Sequence, residues 1–346
     1  MQSIINQFQL ANPVRLPEAI KVGFINESYR LKAAQEGGVA YFLQRINHHI
    51  FQDVEGLQNN IERVTSHIRQ LLTEAGEADV ERKVLRVVPT KDGKPYYRTP
   101  EGDYWRMYVL IEDALSYEQI TPESARLAGK AFGQFQCQLS TINCQLIETI
   151  PDFHNLEFRI QQLHEALEKD AAARKAATQD IADFLLAHAE EMCLAERLYA
   201  EGKLQKRINH CDTKVNNILF DMAGNPMCIV DLDTVMPGFV FSDFGDFIRT
   251  AANTGAEDDP NLDNIGVNKD IYDAYLEGYL STATFLTELE KSLLPYGCKR
   301  MSFMQAVRFY IDYLNGDTYY KIAYPEHNLV RTKAQIRLFE EQRKCL

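Results

Sequence analysis

Apolar positions in the first third of the chain come in short runs separated by turn residues. Residues 20–24, 28–31 and 39–46 read as three strands, and Gly37-Gly38 is a hairpin signal between the second and third. The period then changes. Across residues 59–72, Ile61, Val64, Ile68, Leu71 and Leu72 recur three and four apart, which predicts an amphipathic helix. Two further apolar runs, 84–89 and 105–111, predict two more strands, with a polar stretch carrying Asp92-Gly93 and Gly102 between them.

Beyond residue 115 the pattern is helical. Thr121 stands where an N-cap belongs and Pro122 at a first helical position, predicting a helix to about Leu139. Residues 155–204 are rich in Ala, Glu, Leu and Lys, and Ile181, Phe184, Leu185, His188 and Met192 fall on one helical face. The change of pattern places a boundary near residues 112–115. The expectation is an α+β, two-lobed chain: a small β-rich lobe over 1–112 and a larger, mainly helical lobe over 113–346.

Composition narrows the function. The 346 residues are 45% hydrophobic and 25% charged, an ordinary globular balance, with a net charge of −12. So acidic a chain is a poor match to nucleic acid or to an anionic membrane, which attract basic surfaces. No run approaches the ~20 apolar residues of a membrane helix. The seven cysteines, at 137, 144, 193, 211, 228, 298 and 345, are odd in number and form no Cys-x-x-Cys. They read as reduced thiols, and with no basic, apolar leader at the N-terminus the expectation is a cytoplasmic protein.

The chemistry concentrates in Asn209-His210-Cys211-Asp212-Thr213-Lys214-Val215-Asn216-Asn217, which has the spacing His-x-Asp-x-x-x-x-Asn of a phosphotransfer catalytic loop. Transfer of a phosphoryl group to a hydroxyl needs a carboxylate to orient the hydroxyl and take its proton, here Asp212. It also needs an oxygen ligand for Mg²⁺ nearby, here Asn217. A hairpin follows, with strands over 218–220 and 227–230 and a turn over 221–226. It should return the chain so that Asp231 lies beside Asn217 as the principal metal ligand. Strand alternation would turn Asp233 to the same side as a second ligand. Lys214 fits either of two descriptions, a charge that neutralises the transferring phosphoryl group or a solvated loop lysine. His210 reads as a residue that orients the loop. Asp243-Phe244-Gly245 spells the metal-binding motif of protein kinases, but Asp231 already holds the position the hairpin requires. Asp243 or Asp246 therefore reads as a structural carboxylate, capping a helix that begins near Phe244.

These segments, in this order, resemble the aminoglycoside phosphotransferase and choline kinase superfamily over the whole chain. Within it, Gly23-Phe24-Ile25-Asn26-Glu27-Ser28-Tyr29, Tyr41-Phe42-Leu43-Gln44-Arg45-Ile46-Asn47, Val230-Asp231-Leu232-Asp233-Thr234-Val235-Met236-Pro237-Gly238 and Asp312-Tyr313-Leu314-Asn315-Gly316-Asp317 look closest to the bacterial N-acetylhexosamine 1-kinases. The resemblance implies a bilobal protein-kinase-like fold and transfer of phosphate from ATP, with Mg²⁺, to the anomeric hydroxyl of an N-acetylated sugar. It makes Asp212 the base, and Asn217 and Asp231 the magnesium ligands. Two departures stand out. No Gly-x-Gly-x-x-Gly loop is present, and Gly23 to Ser28 is its substitute, with Asn26 and Ser28 near the phosphates. No Val-Ala-Ile-Lys lysine is present either, and Gln44 or Arg45 falls at that position. Arg45 brings the positive charge, and Glu62 is a candidate partner for it. Both departures separate the chain from protein kinases. Adenine is expected against the hinge at Glu112 to Ala114, and the sugar near Arg308 and Tyr319. Choline, homoserine or another sugar is the alternative acceptor, and a catalytically silent binding module the alternative class.

Overall fold

The computed structural model describes residues 1–20 and 25–346. The end of the strand expected over 20–24, and Gly23 and Phe24 of the substitute phosphate turn, lie outside the described residues. The chain divides into two compact units, each discontinuous in sequence. The first comprises Met1–Ser116, Gln138–Pro151 and Asn216–Met236, and the second Tyr117–Cys137, Asp152–Val215 and Pro237–Leu346.

The first unit contains a short helix α1 (Gln2–Ile5) and a five-stranded antiparallel sheet. Its strands are β1 (Glu18–Ile20), β2 (Glu27–Leu31), β3 (Tyr41–Ile46), β4 (Tyr97–Arg98) and β5 (Tyr104–Val109), in the order β1-β2-β3-β5-β4. One face buries Leu31, Tyr41, Leu43, Trp105 and Met107 against Ile5, Phe8 and Val88. Because side chains alternate, the other face carries Ser28, Gln44 and Arg106, which are direct cross-strand neighbours. Gly37, at φ 72, makes the left-handed turn between β2 and β3 that its missing Cβ permits. Helix α2 (Val54–Glu74) starts five residues before its expected beginning, because the Asp53 carboxylate accepts from Gly56 N–H and caps it. A four-residue helix α3 (Val80–Lys83) follows.

The run 84–89 is not a strand. It touches β5 through the isolated bridge Val87–Tyr108, and Pro89 has no N–H with which to extend a ladder. The fifth strand is instead β4, inside the stretch read as a polar connection.

In the second unit, helices α4 (Pro122–Leu139, its end crossing into the first unit), α5 (Leu156–Lys169), α6 (Gln179–Met192) and α7 (Leu194–Ala200) precede strand β6 (Arg207–Asn209). The hairpin β7 (Ile218–Phe220) and β8 (Pro226–Ile229) belongs to the first unit, bridged by Leu115 to Phe220. The second unit resumes with α8 (Val240–Ala251), α9 (Lys269–Thr282), α10 (Glu288–Ser292), α11 (Leu294–Leu314) and α12 (His327–Cys345). Thr121 Oγ1 accepts from Ser124 N–H at the start of α4, and Ile181, Leu185 and Met192 of α6 are buried. None of the described helices is long and apolar enough to cross a membrane.

The position of α8 matters most for the site. A Cβ on Gly245 would lie 2.2 Å from the Gly297 carbonyl oxygen, and one on Gly297 would lie 2.2 Å from that of Phe241. Two glycines therefore let α8 and α11 meet backbone to backbone. Phe244 is wholly buried against Tyr272, Tyr275 and Tyr279. Two of the three Asp-Phe-Gly letters thus serve packing.

Candidate active site

The catalytic loop leaves β6 in the second unit, with Cys211 at φ 63 in the left-handed region. A buried non-glycine residue held there costs about 1–3 kcal/mol and needs surroundings that impose it. Helix α8 does so. The Asp243 carboxylate accepts from the N–H of His210 (2.7 Å) and of Cys211 (2.8 Å), and the Thr213 hydroxyl donates to the Asp243 carbonyl (2.5 Å). One turn on, Asp246 accepts from Thr213 N–H at 3.1 Å. Gln136 Nε2 donates to Asp243 at 2.8 Å, and the Tyr279 hydroxyl donates to Gln136 Oε1, which fixes the amide's orientation.

Burial pushes the Asp243 carboxyl up to about 7 against these donors, with Asp246 adding to the rise. Burial raises Asp246 too, but the Arg249 guanidinium and then Lys214 outweigh it and hold that group below its ordinary value. Asp243 therefore does not cap its own helix, which begins at Val240 and has no side-chain cap. It caps the catalytic loop.

His210 is fully buried, with its ring edge-on to Phe132 and tilted against Phe135, and its Nδ1 accepts from Asp212 N–H at 3.3 Å. The Asp212 side chain is partly exposed, and Lys214 Nζ stands 3.1 Å from its Oδ1. Asp212 raises the Lys214 ammonium above its usual range, with Asp246 adding to the effect. The loop thus presents a carboxylate paired with a charged lysine.

The hairpin in the first unit returns as its sequence implied. Val230 N–H donates to the Asn217 carbonyl at 2.9 Å, which sets Asp231 beside Asn217. Alternation ends there. β8 stops at Ile229, Asp231 is left-handed (φ 59, ψ 56), and residues 232–234 form a 3₁₀ turn. Asp233 therefore does not share a face with Asp231 as a strand residue would. Its carboxylate is buried on Arg106: Nη1 lies 2.5 Å from Oδ1, and Nη2 donates to Oδ2 at 2.8 Å. Asn26 Nδ2 donates to the same Oδ2 at 2.7 Å, and the Thr149 hydroxyl to the Asp233 carbonyl at 2.8 Å. With both oxygens engaged, Asp233 is an anchor, and the expectation of a second metal ligand is corrected. Asn217 and Asp231 remain, brought next to each other by the hairpin backbone, with an amide and a carboxylate to offer. They fit Mg²⁺, a hard ion that takes one or two protein oxygens and completes its shell with phosphate and water.

The register also settles the third strand. Gln44 shares a face with Ser28 and Arg106, while Arg45 lies on the opposite face. Arg45 pairs there with Asp103 (2.7 Å) and Glu27 (2.9 Å), and not with Glu62. Arg45 is corrected from a phosphate-site residue to a surface ion pair. Asn26 is braced at both ends, its Oδ1 accepting from Asn47 N–H, and Ser28 Oγ accepts from Gln44 Nε2. Where adenine is expected, the carbonyls of Glu112 and Asp113 accept from Arg82.

Arg308 and Tyr319 belong to the second unit. Arg308 lies over the rings of Phe153 (5.0 Å) and Tyr320 (5.7 Å) and donates to Gln305, while Tyr319 is exposed beside Tyr320. Asp312 gathers the N–H groups of Thr318, Tyr319 and Tyr320 and so shapes the loop that carries these tyrosines. Phe153 stacks on His154, whose carbonyl accepts from Arg300. Burial pushes the His154 imidazole down to about 3, although Asp246 opposes the fall. Sequence reasoning missed Arg106, Gln136, Arg159 and Asp312. Arg106 left a signal, a single charge inside the apolar run Tyr-Trp-Arg-Met-Tyr-Val, and Asp312 opens one of the segments that carry the family resemblance.

The chain belongs to the phosphotransferase enzyme family (APH), whose model matches residues 18–284. Solved structures share its fold from end to end at low identity. An aminoglycoside phosphotransferase from Alicyclobacillus acidocaldarius is 12% identical, with a TM-score of 0.61 and 99% and 95% of the two chains covered. A microcompartment-associated aminopropanol kinase is 14% identical, with a TM-score of 0.58 and the same coverage. A spectinomycin phosphotransferase bound to AMP is 13% identical, with a TM-score of 0.58 and 99% and 98% covered. The antiparallel sheet followed by a helical part is the protein-kinase-like architecture of these proteins, and the chain is a phosphotransferase of that class.

Proposed function

We propose that this protein transfers the γ-phosphoryl group of ATP to the anomeric hydroxyl of N-acetylglucosamine or N-acetylgalactosamine. The observation that carries the reaction is the catalytic loop. Asp212 is accessible, paired with Lys214, and presented by a loop that two buried α8 carboxylates hold at three amides. Asp212 takes the proton of the sugar O1 hydroxyl as that oxygen bonds to the γ-phosphorus. The bond from phosphorus to the β–γ bridging oxygen breaks, and ADP leaves with the electron pair. Lys214 offsets charge on the transferring group, and His210 keeps the loop in register. Mg²⁺, when bound, neutralises the phosphate oxygens; Asn217 and Asp231 would hold it. The hinge at Glu112 is assigned to adenine. The seven cysteines are thiols and not disulfides, consistent with work in the cytoplasm, where ATP is supplied.

For the acceptor, the supporting observation is a pair of guanidiniums. Arg159 donates to Gln162 and to the Phe153 carbonyl, and Arg308 to Gln305. Among the described residues neither has a carboxylate at ion-pair distance. Burial, and then Arg308, bring Arg159 down to about 10. Such a patch repels a protonated amine and suits hydroxyl and acetamido oxygens. It favours a neutral sugar over choline or an amino alcohol.

The test is ATP-dependent phosphorylation of a panel of N-acetylglucosamine, N-acetylgalactosamine, galactose, choline and homoserine, with Asp212→Asn as control. A sugar 1-phosphate that disappears in the variant is the expected result. Turnover of choline or homoserine alone would overturn the sugar assignment, and ATP binding without turnover of any acceptor would favour a silent kinase fold.

A further inference from the structure

Protein kinases place a lysine on the third strand and pair it with a glutamate on the following helix. In this chain the third strand turns an uncharged group to that face, and no described carboxylate of α2 pairs with it. β3 offers Gln44, and the buried face of α2 offers Gln58 and Asn60. A buried cation lies one strand over. Arg106 of β5 is 1% exposed, is the cross-strand partner of Gln44, and donates through Nε to Gln44 Oε1 at 2.9 Å. Its counter-charge is Asp233, two residues past the candidate metal ligand Asp231, and Asp231 lies close enough to act on the guanidinium electrostatically.

We propose that Arg106 supplies the fixed positive charge for the nucleotide's phosphate end, with Asp233 as the positioning residue that holds it. The cation–carboxylate pair is thus transposed from strand three and helix to strand five and the metal-ligand segment. This rests on the kinase reading above. The energetics favour a positioned pair over an incidental one. A buried guanidinium without its carboxylate is strongly destabilising, so the two persist together. The planar fork reaches both oxygens of Asp233 at once, which a lysine could not do. Ser28, Gln44 and Asn26 complete the frame around the pair. One consequence is that the sheet is tied directly to the metal-ligand segment, without α2 as intermediary. Another is that Arg106 already balances the charge of Asp233, which leaves Asp231 as the carboxylate that would hold a cation together with Asn217.

The experiment compares binding of ADP and of adenosine by calorimetry, without Mg²⁺, to the wild type, Arg106→Gln, Arg106→Lys and the double variant Gln44→Lys/Arg106→Gln. Adenosine reports the fold and the adenine site, and the ratio of the two affinities reports the phosphate charge. We expect Arg106→Gln to weaken ADP at least tenfold while adenosine binding is unchanged. Gln44→Lys in that background should recover part of the loss, because cross-strand side chains at that pair are only about 5 Å apart. If Arg106→Gln does not fold, Arg106→Lys and the double variant carry the same comparison. An unchanged ADP-to-adenosine ratio in the folded variants would overturn the assignment. A wild type that does not prefer ADP over adenosine would overturn the kinase reading itself.

Discussion

Removing the Asp243 side chain tests whether α8 positions the catalytic loop. In Asp243→Ala, the buried N–H groups of His210 and Cys211 and the amide of Gln136 lose their shared acceptor. An unsatisfied buried donor costs about 1–3 kcal/mol. Three of them, less some relief from no longer burying a carboxyl, give a loss of about 3–5 kcal/mol. In a unit of about 200 residues, each kcal/mol lowers Tm by roughly 2–4 °C, so a fall on the order of 10 °C is expected. The loop should suffer first, because Cys211 keeps its left-handed conformation only while its amide is held. The assay is thermal unfolding by circular dichroism together with kcat at a temperature where the variant remains folded. We expect kcat to fall at least a hundredfold while the KM for ATP changes little. A variant with wild-type Tm and kcat would refute the assignment of Asp243 as the clamp of the loop.

The same group gives a pH dependence of known sign. Burial raises the folded-state Asp243 pKa to about 7 from an ordinary 3.8, so between those values the folded protein keeps a proton that the unfolded chain has lost. Its stabilising contribution is complete below about pH 4 and is lost as pH rises through about 7; urea titrations at several pH values should show this decline in the wild type and not in Asp243→Ala. Gly245→Ala would place a methyl 2.2 Å from the Gly297 carbonyl oxygen, and forced separation of α8 from α11 should cost about 1–3 kcal/mol or more in urea unfolding. Arg45→Ala removes exposed ion pairs to Asp103 and Glu27; stability should change by less than about 1 kcal/mol and ADP affinity not at all, and a tenfold loss of affinity would return Arg45 to the phosphate site.

Local relations along the chain are legible in the sequence itself. The His-x-Asp-x-x-x-x-Asn spacing, the turn over 221–226 and the apolar strands around it fix how Asn217 and Asp231 approach each other, because a hairpin is closed by its own short turn. The helical period of α2 and α6 and the Thr121-Pro122 start of α4 are equally local, set by side-chain spacing and by caps. Relations across the chain are not legible in this way. Whether Gln44 or Arg45 turns toward Arg106 depends on a strand register in which a one-residue slip reverses every side chain. Asp233 reads as a ligand only if alternation is carried two residues past the end of β8; the left-handed Asp231 and the 3₁₀ turn redirect it to Arg106, 127 positions away. Asp243 reads as a helix cap, yet its carboxylate serves amides about thirty residues earlier, and only the close approach of α8 to α11 through Gly245 and Gly297 puts it there. Sequence determined the chemistry available at each position, since spacing and turn residues act over a few bonds. Tertiary structure decided which charge meets which, since a buried ion pair forms only where packing brings both partners out of water together.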